Sequence, residues 1–316
     1  MKSSFLSAQL DRIEQRTQNK YLLGWGLLGF LSLIWGSSFI LMKRGLEAFD
    51  PFQVGAFRIL IAGLALLPFL IIRKVPFKEI SRETWWGLAA VGFFGNGIPA
   101  FLFPLAETGL NSATTGILNA LTPMFTLVIG ALFFSLAFTK RKVFGLILGL
   151  VGSVLLVALG GGKEGVEVGF LVERFSYASY VLMATICYGV TGNVLKRVVT
   201  NSSLDALTVT GLALCIASIP YWGYFFLTAS YKSFAQEGAW TAFGYLAILG
   251  LLGTAFATVI FNYLIKITDA VFASSVTYLV PIVALGWGIL DGESMHFLQG
   301  FGMLFILLGV YQVTRT

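Results

Sequence analysis

Arg58 is the residue with the clearest chemical potential, because it lies seven residues into an apolar run that extends over residues 51–72. A charged side chain inside a membrane-spanning helix costs roughly 2.5–3.5 kcal/mol on insertion scales, so an interaction should compensate for it. One hypothesis is that Arg58 faces a cavity and binds an anionic group such as a carboxylate. The alternatives are that its side chain extends to the nearer membrane interface, or that it pairs with a helix C-terminus, Glu47 or Asp50.

Aromatic and small polar residues occur together in two other apolar runs. Trp35, Ser37 and Ser38 lie in the first, and Tyr188 and Asn193 lie in the second. An aromatic ring beside hydroxyl or amide groups can stack on a planar or amphipathic molecule and hydrogen-bond to it. The alternative is packing between helices through the small residues, with the aromatic rings as anchors at the membrane interface.

Prolines interrupt three further runs, at Pro99, Pro123 and Pro281. A proline removes a backbone donor and frees a carbonyl one turn earlier, which can line a cavity or permit a gating kink; the alternative is a static kink. Polar residues of the same runs and of their second-half counterparts extend the set, including Thr254 and Thr258. The further cavity candidates are Asn96, Asn119, Asn262, Thr277 and Tyr278.

Residue patterns typical of an enzyme are missing from the sequence. It has one histidine, two cysteines that both lie in apolar runs, and no Gly-Lys-Ser/Thr phosphate loop. We therefore predict no catalytic residue, no metal ligand and no cofactor. No Asp or Glu lies deep in any of the apolar runs bounded below, so no carboxylate relay for protons is predicted. Glu293, at the end of the ninth run, is either a solvated or capping residue or a proton-coupling group.

The elements that carry these residues are membrane-spanning helices. Hydrophobic residues make up 57% of the 316 and charged residues 11%, against roughly 45–50% and about 25% in soluble domains. The apolar runs are long enough to cross a bilayer as helices, whereas barrel strands have about ten residues. The sequence thus predicts an all-α polytopic membrane protein with ten transmembrane helices. The predicted spans are residues 21–42, 51–72, 85–105, 113–134, 143–159, 177–195, 204–227, 243–264, 270–290 and 297–313.

The distribution of positive charge predicts the orientation of these spans. Of the 21 Lys and Arg residues, 15 lie on the side of the two termini, five lie on the opposite side, and Arg58 lies within a span. Because cytoplasmic loops carry the excess of Lys and Arg, both termini are predicted to be cytoplasmic, in an inner or plasma membrane. The same bias accounts for the net charge of +6, so no nucleic-acid partner is predicted.

The two halves of the chain repeat each other. The series Gly92, Gly95, Phe103, Asn119, Leu121, Pro123 and Gly130 corresponds, at a shift of 158 positions, to Gly250, Gly253, Phe261, Thr277, Leu279, Pro281 and Gly288. Since each half has an odd number of predicted spans, the second half enters the membrane from the opposite face. The prediction is an N-terminal tail (1–20), a five-helix repeat (21–159), a linker (160–176) and an inverted five-helix repeat (177–316) around a central cavity.

Several of these residues also resemble a known family. The motifs Trp35-Gly36-Ser37-Ser38, Lys43, Pro51, Ala56-Phe57-Arg58 and Leu121-Thr122-Pro123 resemble the first EamA domain of the drug/metabolite transporter superfamily. A second EamA domain is suggested by Tyr278-Leu279-Val280-Pro281, Gly292-Glu293 and Gly309-Val310. The halves differ in two places. Ser135 occupies the position that matches Glu293, and Thr210 or Gly211 occupies the position that matches Arg58.

The resemblance implies a ten-helix carrier with a central cavity, often an exporter of amino acids, metabolites or drugs. We therefore expect a secondary transporter that moves a small organic solute by alternating access, in contact with membrane lipids. Coupling to protons or another ion is one option, and the sequence leaves solute and oligomeric state open. The alternatives are a membrane-embedded enzyme acting on a lipid-linked substrate, and a channel.

Overall fold

The computed structural model describes residues 2–75, 77–134, 139–159, 168–268, 273, 276–293 and 297–314. Within these ranges every regular element is helical, so the protein is an all-α polytopic membrane protein, as predicted. Seven segments are long and apolar enough to cross a membrane: Leu22–Gly45, Pro51–Ile72, Arg82–Glu107, Ser112–Phe133, Val172–Val199, Ala206–Leu227 and Ala239–Ile267. Two shorter apolar helices, Val276–Leu290 and Gly300–Gly309, lie in the ninth and tenth predicted spans. The count of ten spans stays a prediction.

Thirteen α-helices are described in these ranges. They are α1 (Lys2–Gly45), α2 (Pro51–Ile72), α3 (Arg82–Gly92), α4 (Ile98–Glu107), α5 (Ser112–Asn119), α6 (Thr122–Phe133), α7 (Lys140–Leu159), α8 (Val168–Asn201), α9 (Ala206–Leu227), α10 (Ala239–Ile248), α11 (Ala257–Ile267), α12 (Val276–Leu290) and α13 (Phe297–Thr314). Short 3₁₀ helices occupy Phe77–Glu79 and Ser230–Ala235. The predicted tail is continuous with α1, and α8 begins within the predicted linker, of which residues 160–167 lie outside the described ranges. Ser135 and most of residues 269–275 also lie outside them.

Two spans are interrupted by π-helical turns, which is a feature frequent at functional sites. Phe93–Gly97 joins α3 to α4, and Leu249–Phe256 joins α10 to α11. A shift of 158 positions moves the first segment to residues 251–255, within the second. The internal repeat of the sequence therefore reappears as a matched pair of helix interruptions.

The three prolines have different local roles. Pro99 is the second residue of α4 and Pro123 the second residue of α6, where a missing N–H costs little because the first turn lacks intrahelical acceptors. Pro281 lies inside α12. Two of the three prolines thus follow breaks between helical segments, and one lies within a continuous helix.

The glycines of the interrupted spans allow close packing between the halves. A Cβ at Gly92 would overlap the carbonyl oxygen of Ala213 on α9, and a Cβ at Gly250 would lie 3.0 Å from the carbonyl oxygen of Arg58 on α2. Ala213 is therefore the structural counterpart of Arg58, at a shift of 155 positions. The sequence-based assignment of Thr210 or Gly211 is wrong, because it uses a shift of 152 or 153 positions, close to that of the first span, whereas the second span follows a shift of 155.

Candidate functional site

Arg58 on α2 forms a polar contact with the second half of the chain. Its Nε donates a hydrogen bond of 2.7 Å to Thr254 Oγ1, and its Nη1 lies 3.9 Å from the sulfur of Met42. The Arg58 side chain is half-buried. The groups close enough to interact with its charge include Tyr188, Tyr221 and Glu107. The cost of placing the cation in a span is therefore offset by polar groups from both halves.

Neither of the two carboxylates proposed as partners of Arg58 pairs with it. Glu47 instead accepts a 2.5 Å hydrogen bond from Arg44. Asp50 is the N-cap of α2 and accepts from the backbone N–H groups of Phe52 and Gln53. Both carboxylates are thus engaged elsewhere, and Arg58 turns towards the interface between the two halves.

The π-helical turn Leu249–Phe256 explains why a polar partner is available at this depth. Thr254 Oγ1 donates to the carbonyl oxygen of Leu249 at 3.2 Å while it accepts from Arg58. Thr254 is 1% exposed, so both hydrogen bonds are formed inside the protein. A hydroxyl that donates and accepts at once satisfies both of its roles in a low-dielectric environment.

Aromatic residues from each half hydrogen-bond to the interrupted span of the other half. Trp35 Nε1 donates to the carbonyl oxygen of Gly253 at 3.0 Å, and the hydroxyl of Tyr221 donates to the carbonyl oxygen of Gly97 at 2.7 Å. These bonds satisfy carbonyls within the π-helical turns. Each π-helical turn is therefore joined to the opposite half of the chain by a hydrogen bond.

The rings of Trp35 and Tyr188 also occupy equivalent positions. The centroid of the Trp35 ring lies 5.1 Å from that of Phe261, and the centroid of the Tyr188 ring lies 5.9 Å from that of Phe103. Both pairs are related by the repeat of the sequence. Trp35 and Arg58 therefore both hydrogen-bond to the π-helical turn Leu249–Phe256, and Tyr188 lies beside Arg58.

The two predicted serines form hydrogen bonds within their own helix. Ser37 Oγ donates to the Leu33 carbonyl oxygen at 2.7 Å and accepts from Trp287 Nε1 at 2.8 Å. Ser38 Oγ donates to the Ile34 carbonyl oxygen at 3.1 Å. A Cβ at Gly253 would lie 2.9 Å from Ser38 Oγ. These contacts fit the packing alternative.

Two predicted amide side chains join neighbouring helices. Asn193 Nδ2 donates to the carbonyl oxygens of Thr126, at 3.0 Å, and Gly189, at 2.9 Å, which joins α8 to α6. Asn262 Nδ2 donates to Thr210 Oγ1 at 2.8 Å, which joins α11 to α9. In the part of the chain described, neither amide hydrogen-bonds to Arg58.

The remaining candidates lie at helix breaks and in α12. Asn119 Oδ1 lies 3.3 Å from Thr122 Oγ1, at the break between α5 and α6. Asn96 is half-buried within the first π-helical turn, and Thr277 and Tyr278 are the second and third residues of α12.

A cavity of about 240 Å³ lies between the α8–α9 turn and α11. It is lined by Val199, Ser202, Ser203, Leu204, Ala206, Asn262 and Lys266.

An ion-pair network closes the end of the bundle where α1 and α12 end and α5 begins. Lys43 Nζ binds Asp291 at 2.5 Å and Glu293 at 2.8 Å, and Arg44 also pairs with Asp291. Glu293 accepts from the backbone N–H groups of Ser112, at 3.1 Å, and Ala113, at 3.2 Å. The Glu293 side chain is 4% exposed. Of the open alternatives, the capping role of Glu293 is therefore present and the solvated one is not.

Glu107 is a site residue that the sequence analysis missed. The third span continues two residues beyond its predicted end, because α4 ends at Glu107. Both carboxylate oxygens are buried, and neither has a hydrogen-bond partner in the described ranges. Ala100, Phe103 and Glu107 are spaced as one face of a helix, and the first two are buried. This periodicity was the available signal that Glu107 faces the interior.

Two segments, residues 23–158 and 175–315, match the EamA-like transporter family. The chain belongs to this family. Members of this family are transporters, so the protein is a multi-pass membrane transporter and not an enzyme.

Individual relatives agree with this assignment. The chain is 28% identical to the uncharacterised inner membrane transporter YedA of Escherichia coli strain K12, over 92% of this chain and 90% of YedA. It is 26% identical to a probable amino-acid metabolite efflux pump of Salmonella typhimurium, over 90% of this chain and 93% of the pump. It is 24% identical to an S-adenosylmethionine/S-adenosylhomocysteine transporter of Chlamydia muridarum, over 88% of this chain and 87% of that transporter. A solved crystal structure with 18% identity shares the fold, with a TM-score of 0.59 over 90% of this chain and 94% of that chain.

Proposed function

We propose that this EamA-family protein is a secondary transporter that exports a small organic solute across the inner or plasma membrane by alternating access. The observation that supports the proposal best is that Trp35 and Arg58 both hydrogen-bond to the π-helical turn Leu249–Phe256, with Tyr188 beside Arg58. Carriers built from inverted repeats bind solutes near the membrane midplane, where interrupted helices of the two halves meet. A cation flanked by aromatic rings suits a solute with an anionic group and an apolar body.

The direction of transport and the orientation are parts of the same proposal. Export is supported by the relative of Salmonella typhimurium named a probable amino-acid metabolite efflux pump. The bias of Lys and Arg supports cytoplasmic termini, which puts the Lys43 network at the outer end of the bundle. We assign the driving force to a gradient of protons, another ion or the solute itself.

The test compares solutes in the medium and in the cytosol of cells with and without the protein. Arg58→Gln removes the proposed anion-binding cation, and the matched control is Arg141→Gln, because Arg141 makes an exposed hydrogen bond to Gln312. We expect the wild type and the control to enrich at least one organic solute in the medium, and Arg58→Gln to lose about tenfold of that enrichment. An unchanged medium, in cells where the protein is correctly inserted, would refute export.

A further inference from the structure

We propose that Glu107 is a second solute-binding residue, which receives the cationic group of a solute whose anionic group binds Arg58. The site then selects zwitterionic solutes, of which α-amino acids and their derivatives are the simplest. This inference rests on the proposed transport function and adds a residue and a solute class to it.

The first support is the burial of an acidic side chain without a donor. Both oxygens of Glu107 are shielded from solvent, and no described residue donates to them. Buried carboxylates in proteins are paired with cations or hydrogen-bond donors, because an isolated buried charge is strongly unfavourable. Glu293 interacts with Glu107 as well, and a like charge adds to the need for a positive partner.

The second support is that no cation in the described part of the chain provides this partner. Lys43 and Arg58 are the cations that interact with Glu107. Lys43 Nζ already binds Asp291 at 2.5 Å and Glu293 at 2.8 Å. In the described ranges, no side-chain nitrogen of Lys43 or Arg58 lies within 4.0 Å of a carboxylate oxygen of Glu107. Glu107 therefore keeps its acceptor capacity for a group that enters from outside the protein.

The third support is that Arg58, a cation, has no acidic partner within ion-pair distance in the described ranges. A guanidinium has five N–H donors, whereas the side chains that Arg58 contacts are neutral: Thr254, Met42 and Tyr188. No carboxylate in the described ranges lies within ion-pair distance of Arg58. The half-buried cation thus retains donors for an anionic ligand.

The relation between the two groups selects the class of solute. Arg58 and Glu107 interact electrostatically but are too far apart for a direct ion pair. In an α-amino acid the ammonium and the carboxylate are attached to one carbon by bonds of about 1.5 Å. Such a molecule carries opposite charges side by side, so a single solute presents one group to Arg58 and the other to Glu107. A solute with one charge leaves one of them unpaired, which is strongly penalised in a buried site.

The test measures transport into everted membrane vesicles by mass spectrometry, with three matched panels of probes. These are the twenty proteinogenic amino acids, the amines that correspond to loss of the carboxylate, and the acids that correspond to loss of the amino group. We expect the wild type to move at least one amino acid about tenfold faster than either single-charge analogue. Glu107→Gln should slow the amino acid about tenfold and leave the acid unaffected, and Arg58→Gln should not weaken transport of the amine.

Glu47→Gln is the matched control, because Glu47 lies at the same end of the bundle with its side chain 55% exposed; its selectivity should equal that of the wild type. If Glu107→Gln flattens the pH dependence of transport for all probes without changing their order, Glu107 carries a proton and the inference is wrong. If the protein exports other solutes but no amino acid, the inference fails while the proposed function stands. Should Glu107→Gln not fold, the preference of the wild type among the three panels still decides.

Discussion

Glu293→Gln is the substitution that best tests whether the ion-pair network holds the end of the bundle together. The carboxylate of Glu293 binds Lys43 Nζ and the N–H groups of Ser112 and Ala113, which are the first two residues of α5. Glutamine has nearly the same shape and keeps one oxygen. The substitution therefore removes the negative charge and one acceptor while the packing around residue 293 is preserved.

The expected loss follows from these contacts. A hydrogen bond to a charged group contributes about 1.5–3 kcal/mol, and a negative charge at a helix N-terminus adds about 0.3–1 kcal/mol. Because the Lys43 side chain is 36% exposed, its share is reduced by solvent. We expect a loss of about 2–3 kcal/mol in the free energy of unfolding. At about 2 °C per kcal/mol for a chain of this size, the melting temperature should fall by about 4–6 °C.

The assay is thermal unfolding of the purified protein in detergent, with Glu47→Gln as the control. Glu47 also binds a basic residue of α1, Arg44, but its side chain is 55% exposed, and surface ion pairs contribute about 0–1 kcal/mol. The control should therefore melt within about 2 °C of the wild type. Equal shifts for the two variants, or no shift for Glu293→Gln, would show that the network does not stabilise this end.

Two further predictions concern the interface between the halves. Gly250→Ala should lower the free energy of unfolding by about 1–3 kcal/mol, because the new Cβ would lie 2.8 Å from Ile61 Cβ. The control is Gly244→Ala in the same span, where a Cβ would have nothing within 4 Å. This control should have little effect in the same melting assay. Trp35→Phe keeps an aromatic ring but removes the bond to the carbonyl oxygen of Gly253, so stability should fall by about 1 kcal/mol. Transport by the Trp35 variant should remain if the ring, and not its N–H, contacts the solute.

The sequence predicts the helices well because hydrophobicity and length determine which segments can cross a bilayer. The positions of Pro51–Ile72 and Ala206–Leu227 agree with the predicted spans within two residues at either end. Hydropathy does not distinguish an α-helical turn from a π-helical one, since both are equally apolar. The π-helical form of Phe93–Gly97 and Leu249–Phe256 was therefore not predicted, although Pro99 indicated an interruption of the third span and the repeated spacing of glycines marks the same places in both halves.

The partners of Arg58 illustrate what the sequence could not provide. Thr254 is 196 positions away, and no local pattern indicates that their side chains meet. Glu107 was missed for a different reason, because its charge lowers the hydropathy at the end of the third run and moves the apparent boundary inwards. The N-cap residues Asp50 and Asp205 would have given the shift of 155 positions that aligns Arg58 with Ala213.

The two ends of the bundle differ in the strength of their contacts. Lys43 and Arg44 correspond, at a shift of 153 positions, to Lys196 and Arg197 of the second half. The acidic residue Asp291 is not repeated in the sequence, because it corresponds to Phe133 at the shift of 158. The guanidinium of Arg197 instead lies 4.8 Å from the centre of the Phe134 ring. A cation–π contact at an exposed site contributes about 0.5–1 kcal/mol.

An ion pair between Arg73 and Asp205 joins α2 to α9 at this second end, but its side chains are 48% and 41% exposed. Exposed pairs of this kind contribute about 0–1 kcal/mol, whereas Asp291 and Glu293 are 10% and 4% exposed. In a carrier that alternates between two openings, the end with the weaker contacts opens at the lower energetic cost. Since positive charge is concentrated at the second end, the proposed orientation places this end at the cytoplasm. We therefore expect the carrier to open more readily on the side where an exporter must collect its solute.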